Sequence, residues 1–237
     1  MSQLLYEGKA KKIYDTENPE LLHVQYKDEA TAFNGKKKAT LPGKGRLNNL
    51  ICSKLFEELK DHGIESHFVK RLTETDQLVK AVKIIPLEVV VRNVVAGSLS
   101  KRLGIEEGVK IKEPIIEWYY KNDELGDPMI NDDHISMLSI ATPEQLEDIR
   151  RQALSVNQVL IQLFDDIDIT LVDFKLEFGT LTTTGKVVLA DEISPDTCRL
   201  WDKTTQEKLD KDVFRRGLAD LPQTYEKLLN RLEALQK

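Results

Sequence analysis

The chain has 237 residues, 41% hydrophobic and 31% charged, a balance that belongs to globular proteins and excludes disordered, collagen-like and disulfide-scaffold classes. That length gives one large domain or two small ones in close contact. A formal net charge of -6 argues against generic binding to nucleic acid or to an anionic membrane.

The first third reads as short strands with polar turns. Leu4–Tyr6 and Ile13–Tyr14 flank a basic turn, and Leu22–Tyr26 alternates after a turn at Asn18-Pro19, which predicts a small antiparallel sheet. Residues 28–46 are polar, glycine-containing and aperiodic, and read as a long loop of the functional kind. From Leu47 an apolar helical stripe (Leu50, Ile51, Leu55, Leu59) runs to Gly63. Residues 67–96 read as strands with a break near Pro86, 97–112 as a short helix and turn, 113–121 as a strand and 122–134 as a loop. Thr142-Pro143-Glu144-Gln145 supplies an N-cap, a first-turn proline and a capping-box partner for the longest helix, with Leu146, Ile149, Ala153, Val156, Leu160, Leu163, Phe164 and Ile167 as its buried stripe. Strands at 169–178 and 186–192 follow, then a helical stretch over about 210–235. The fold class expected is α+β: an N-terminal, mainly antiparallel unit over 1–84 packed on a larger mixed unit over 85–237, with a ligand cleft between them.

Cys52 and Cys198 are too few for a disulfide framework and lack zinc-like spacing. The N-terminal residues lack the pattern of a signal peptide, and no apolar run approaches the ~18 residues that span a bilayer. A cytoplasmic location and no membrane partner are therefore expected.

Chemistry concentrates in four segments. In Leu171–Gly179, Val172, Phe174, Leu176 and Phe178 share one strand face, while Asp173, Lys175 and Glu177 share the other at ~6.6 Å intervals. A hairpin centred near Thr184-Gly185 brings Asp191 opposite or diagonal to Glu177. Two carboxylates ~5 Å apart repel by roughly 3 kcal/mol at an effective dielectric of 20, so a positive charge should lie between them. Lys175 on a solvated face satisfies this; so does a divalent metal, with Mg²⁺ ahead of zinc because the donors are oxygens. The second segment, Ile84–Ser98, runs a strand carrying Glu88 and Arg92 into Gly97-Ser98. This is a phosphate cradle, or else a helix cap at Ser98 with Arg92 paired to Glu88. Gly8-Lys9-Ala10-Lys11 is a glycine turn that lets backbone amides approach phosphates, or a plain basic hairpin; it is no Walker motif. Asp191–Asp202 carries acids at a strand end, a proline turn, Asp196 and Arg199, in the manner of a loop closing on a ligand. Residues 1–54 hold ten Lys/Arg against six Asp/Glu, and a basic end facing an acidic body suits a ligand with phosphates on one side and metal on the other. Cys198 and the four histidines carry no catalytic pattern.

The stretches GKAKKIY, IIPLEVVVRNVVAGS, LVDFKLEFG and DEISPDTCRLWD, in this order and within this length, resemble the phosphoribosylaminoimidazole-succinocarboxamide synthase (SAICAR synthetase) family. The resemblance implies an ATP-dependent ligase of purine biosynthesis. It would join the carboxylate of carboxyaminoimidazole ribotide to L-aspartate, with ATP and Mg²⁺ as cofactors. Gly8, Lys9, Ala10 and Lys11 match the nucleotide-phosphate loop, and the base is expected near residues 80–84, with Lys80 and Ile84 at its edges. Glu177 and Asp191 match metal ligands. Arg92, Ser98 and Arg199 match holders of the ribotide, with Glu88, Lys121 and Asp196 beside it and Lys11, Lys175 and Asp173 in catalytic positions. Asn34 departs from the aspartate of many members. The family also implies a homo-oligomer, commonly a dimer. Without the resemblance, a phosphotransferase using the same cleft remains open. A nucleic-acid module using the basic 36–46 segment is disfavoured by the net charge.

Overall fold

The computed structural model describes residues 3–32 and 37–235, and Asn34 lies outside these. In chain order the elements are β1 (Leu4–Glu7), β2 (Lys11–Tyr14), β3 (Leu21–Tyr26), β4 (Glu29–Ala32), β5 (Lys37–Thr40), α1 (Lys44–Asp61), β6 (Phe68–Arg71), β7 (Asp76–Lys80) and β8 (Val82–Val94). Then come α2 (Gly97–Leu103), β9 (Lys110–Tyr120), β10 (Met129–Ile130), α3 (Asp132–Met137), α4 (Pro143–Asp165), β11 (Ile169–Leu181), β12 (Val187–Ala190), β13 (Cys198–Asp202), α5 (Asp212–Arg216) and α6 (Leu221–Ala234).

The α+β class stands. A five-stranded sheet in the order β1-β2-β3-β7-β6 uses residues before 81, and a six-stranded sheet, β10-β9-β8-β11-β12 with β13 also on β11, uses residues after it. Every strand pair in both is antiparallel. One apolar core runs through both sheets and the helices α1, α4 and α6, with Phe56, Phe164, Phe174, Phe178 and Tyr225 fully buried.

Several expectations change. The 28–46 segment is not an open loop: β4 and β5 pair as a small hairpin, with Ala30 opposite Ala39. Polar residues on both exposed faces hide the alternation of buried Ala30 and Ala32. Helix α1 starts at Lys44, three residues before the apolar stripe. Pro86 does not break β8; it falls where the β8–β11 register shifts between Glu177 and Gly179, so its missing N–H sits at a bulge. The 122–134 loop contains β10 and the start of α3. The last helical stretch divides, because Gly217 (φ 67) ends α5 and Asp220 caps α6, with a proline in its first turn. Residues 198–202 form a strand rather than part of a closing loop. Val172 leaves the main core: a register shift between Leu171 and Asp173 sends it to a separate cluster with Val94, Ala96 and Trp201. The capping box at Thr142 and Gln145 is present as read.

Candidate active site

The central strand β11 sets the site in a row. Asp173 pairs in register with Arg92 of β8 on one side and with Arg199 of β13 on the other, so the ladder itself brings a carboxylate between two guanidiniums. Arg92 Nη1 donates to Asp173 Oδ2 at 2.7 Å and its Nε to Glu117 Oε2 at 2.7 Å, and Nη2 donates to Ser98 Oγ at 2.9 Å. Arg199 Nη1 donates to Asp173 Oδ2 at 2.9 Å and its Nε to Asp212 Oδ2 at 3.0 Å. Burial raises the Asp173 carboxyl above its ordinary value, and the two arginines oppose this. Ser98 is therefore a partner of Arg92 and not a cap: the residue preceding α2 is Ala96, which makes no side-chain cap bond. Arg92 pairs with Glu117 rather than Glu88, since Glu88 is taken by Lys175.

Gly97 is a residue that the motif reading did not single out for this role. Its φ is +55, and a Cβ there would sit 2.5–2.8 Å from the Arg199 guanidinium. Gly97→Ala should displace Arg199 from Asp173 and cost about 1–3 kcal/mol from the positive φ alone. A urea midpoint unchanged from the wild type would remove this constraint.

Four residues along β11 the chemistry changes. Glu177 lies opposite Glu88, a like-charge pair that would repel. Lys175 resolves it, with Nζ 2.9 Å from Glu88 Oε1 and 3.0 Å from Glu177 Oε1. Lys121 Nζ adds a contact of 2.5 Å to Glu177 Oε2. Asp191 follows Ala190, the residue opposite Glu177; its φ of 57 ends the strand alternation there. Its Oδ1 lies 2.5 Å from Lys11 Nζ. Burial disfavours the Asp191 charge, but Lys11, Lys175 and Lys121 outweigh it and hold the carboxyl well below the ordinary range. Burial likewise disfavours charge on Lys11, and Asp191 and Glu192 reverse this. Three lysines thus converge on the Glu177–Asp191 end.

Beside the arginine end, and reaching Glu88 and Lys175, lies a cavity of about 420 Å³, within the range of small-molecule sites; Lys11, Lys121, Glu177 and Asp191 do not line it. Lys9, Ala10, Glu88, Arg92, Ser98 and Asp173 line it, as do Lys175, Asp196 and Arg199. Gly8 closes the adjoining turn by donating its N–H to Lys11 O at 2.8 Å. Lys9 reaches out to Asp123 at 2.8 Å. Lys80 and Ile84 do not line this cavity: Lys80 N donates to His67 O at 2.6 Å, and Ile84 lies opposite Gly179.

Asp196 is held from three directions. Its Oδ1 accepts from Tyr225 of α6 at 2.6 Å, and its Oδ2 lies 2.7 Å from Lys44 Nζ and 3.4 Å from Lys211 Nζ. Lys44 is fully buried. Lys211 and Arg215 also line the cavity; they are cations that sequence reasoning missed. The only signal for Lys44 was its place in a basic glycine-containing stretch. Cys52 and Cys198 are unpaired and buried, and burial pushes the Cys52 thiol up to about 12, so it supplies no thiolate near neutrality.

Asp210 supports this wall from behind, accepting from Leu200 N at 2.8 Å and Asp212 N at 2.7 Å. Burial and the neighbouring Asp212 raise its pKa from 3.8 to about 7. A carboxyl that binds its proton more tightly when folded adds stability below its unfolded value and loses it as pH climbs through the folded one. The contribution of Asp210 to stability should therefore fall between pH 4 and pH 7, and Asp210→Asn should make the slope of the urea midpoint against pH more positive over that range. An unchanged slope in the variant would exclude that contribution.

The family model for SAICAR synthetase matches residues 4–232. The phosphoribosylaminoimidazole-succinocarboxamide synthase of Bacillus cytotoxicus is 62% identical over 97% of this chain and 96% of its own length. A crystal structure of the same enzyme from Ehrlichia chaffeensis superposes with a TM-score of 0.96 at 49% identity, covering 98% of this chain and 99% of that one. A SAICAR synthetase structure described as a complex with ADP matches at TM-score 0.92 and 49% identity over 96% of both chains. With its arginine–aspartate row and lysine–carboxylate cluster on one strand, the chain belongs to the SAICAR synthetase family.

Proposed function

We propose that this cleft carries out the family's ligation with its two ends specialised, phosphoribosyl recognition at Arg92, Ser98 and Arg199 and nucleotide-phosphate handling at Lys11, Lys175, Glu177 and Asp191. The chain is an ATP-dependent carbon–nitrogen ligase of de novo purine biosynthesis, joining carboxyaminoimidazole ribotide and L-aspartate to give SAICAR, ADP and phosphate. The observation that carries the residue assignment is the polarity of β11. Asp173 is clasped by two arginines at one end, and Glu177 by two lysines at the other.

A carboxylate is a poor electrophile, so amide formation needs one of its oxygens made into a leaving group. Transfer of the γ-phosphoryl to the ribotide carboxylate does this. The aspartate amine then attacks the acyl carbon, the C–N bond forms, and phosphate departs with the former carboxylate oxygen. Lys11 and Lys175 are cations held in place before the reaction, so they offset phosphoryl charge with little rearrangement. Asp173 aligns Arg92 and Arg199 toward the ribotide phosphate. Glu88 and Lys121 flank the reacting end through Lys175 and Glu177. Asp196 fixes the wall that carries Arg199. The hairpin Gly8-Lys9-Ala10 faces the triphosphate, with the base near Lys80 and Ile84, where the chain crosses between sheets at Ala81.

The donor set suits Mg²⁺. No group of three or more His, Cys, Asp or Glu is placed to hold a metal among the described residues, and Mg²⁺ is bound by one or two carboxylates together with substrate phosphates. Glu177 and Asp191 would hold it, and it would neutralise phosphate charge. We also infer a division near residue 84 into an N-terminal nucleotide-phosphate unit (1–84) and a substrate- and metal-binding unit (85–237), in a cytoplasmic homodimer. No helix is long and apolar enough to cross a membrane among the described residues. Multiple-turnover ADP release should require both the ribotide and L-aspartate when substrates are omitted one at a time, with at most one ADP per site formed from the ribotide alone. Full ADP release without L-aspartate would instead indicate a phosphotransferase.

A further inference from the structure

Lys11 is shared by two carboxylates that follow one another in the chain. Its Nζ lies 2.5 Å from Asp191 Oδ1 and 3.1 Å from Glu192 Oε1. Neighbours on a strand point to opposite faces, so two consecutive acids do not ordinarily reach one ammonium. They do so here because Asp191 takes a φ of 57 at the end of β12, a backbone state that needs support from its surroundings.

The two acids are not equivalent. Glu192 is locked: its side chain is 6% exposed, and its Oε2 accepts from Ser194 Oγ, itself fully buried, at 2.8 Å. The Asp191 side chain is 23% exposed and is the one able to exchange partners. The Lys11 side chain, 14% exposed, needs an anion that stays when Asp191 turns elsewhere, because an unpaired buried charge is costly.

We propose that Glu192 is a positioning residue that retains Lys11 when Asp191 engages a divalent cation, so that the lysine does not compete with the metal. This inference rests on the reading of Glu177 and Asp191 as metal ligands. With Glu192 neutralised, Lys11 has Asp191 as its remaining carboxylate partner and opposes the metal there.

The test titrates Mn²⁺ into the full-length enzyme without nucleotide and reads free Mn²⁺ by electron paramagnetic resonance. Glu192→Gln should weaken Mn²⁺ binding by roughly tenfold, the scale of one screened charge interaction at this distance. Adding Lys11→Met to it should restore binding, which a merely structural role for Glu192 would not produce. Wild-type Mn²⁺ affinity in Glu192→Gln overturns the proposal, and so does a weakening that Lys11→Met fails to relieve. If Glu192→Gln does not fold, Ser194→Ala frees the same carboxylate from its anchor and should weaken Mn²⁺ binding to a lesser degree; no change there overturns the proposal equally. Asp191→Asn separates the two levels. Unchanged Mn²⁺ binding in that variant defeats the metal reading itself, whereas loss there with wild-type binding in Glu192→Gln defeats only the role of Glu192.

Discussion

Glu177→Gln should lower turnover by roughly 10²–10³-fold at saturating substrates and Mg²⁺, the scale of removing one preorganised electrostatic group from an active site. The variant keeps the shape of the side chain and removes the charge proposed to balance a cation and two lysines. The fold should tolerate the change. Lys175 retains Glu88 at 2.9 Å, and the side chain of Lys121, 42% exposed, can turn to water. The cost in stability should therefore stay near that of one charged hydrogen bond, about 1–3 kcal/mol. Steady-state kcat together with a urea midpoint separates the two effects. Near-wild-type turnover at saturating Mg²⁺ would remove Glu177 from the phosphoryl-transfer machinery.

Arg92→Met should act on both stability and recognition. The side chain is 3% exposed and its guanidinium serves Glu117, Asp173 and Ser98 at once. Methionine fills much of the volume but leaves buried carboxylates short of a partner, a change that typically costs about 3–5 kcal/mol. Arg199 still holds Asp173 and Arg102 still reaches Glu117, so the chain should fold. The ribotide KM should rise by at least about tenfold with loss of one charge-assisted phosphate contact, while the KM for ATP moves far less. Arg92→Lys should recover part of the stability and little of the affinity, because an ammonium cannot reproduce the fork that bridges Glu117 and Asp173. Equal rises in both KM values would place Arg92 outside ribotide recognition.

Much of the site's axis was legible because strand alternation is a local rule. Asp173, Lys175 and Glu177 could be placed on one face from spacing alone, and the turn at Thr184-Gly185 returned the chain so that Ala190 lies opposite Glu177. The rule failed where the register slips. Val172 reads as core beside Phe174 until the bulge after Leu171 sends it to another cluster. Pro86 reads as a break until a second bulge accommodates it. Hairpin β4–β5 and strand β13 were missed for a different reason: the hairpin strands are four residues each and rich in charge and threonine, which leaves little apolar periodicity, and β13, five residues long, is defined by its pairing with β11. The same holds for Lys44 and Tyr225, which meet at Asp196, a residue the motif reading did single out. Each is unremarkable in its own segment, and their meeting is a property of the packed core that joins α1 to α6.

That meeting bears on how the molecule is made. Asp196 lies on the cleft wall, yet Tyr225, which holds one of its oxygens at 2.6 Å, belongs to α6, 29 residues further along. Domains generally fold as units during synthesis, the N-terminal ones first, but here the earlier strands cannot finish their work alone. The wall of the cavity at Asp196 is complete only once α6 has docked, so local unfolding of that helix loosens the wall without touching a residue that lines it.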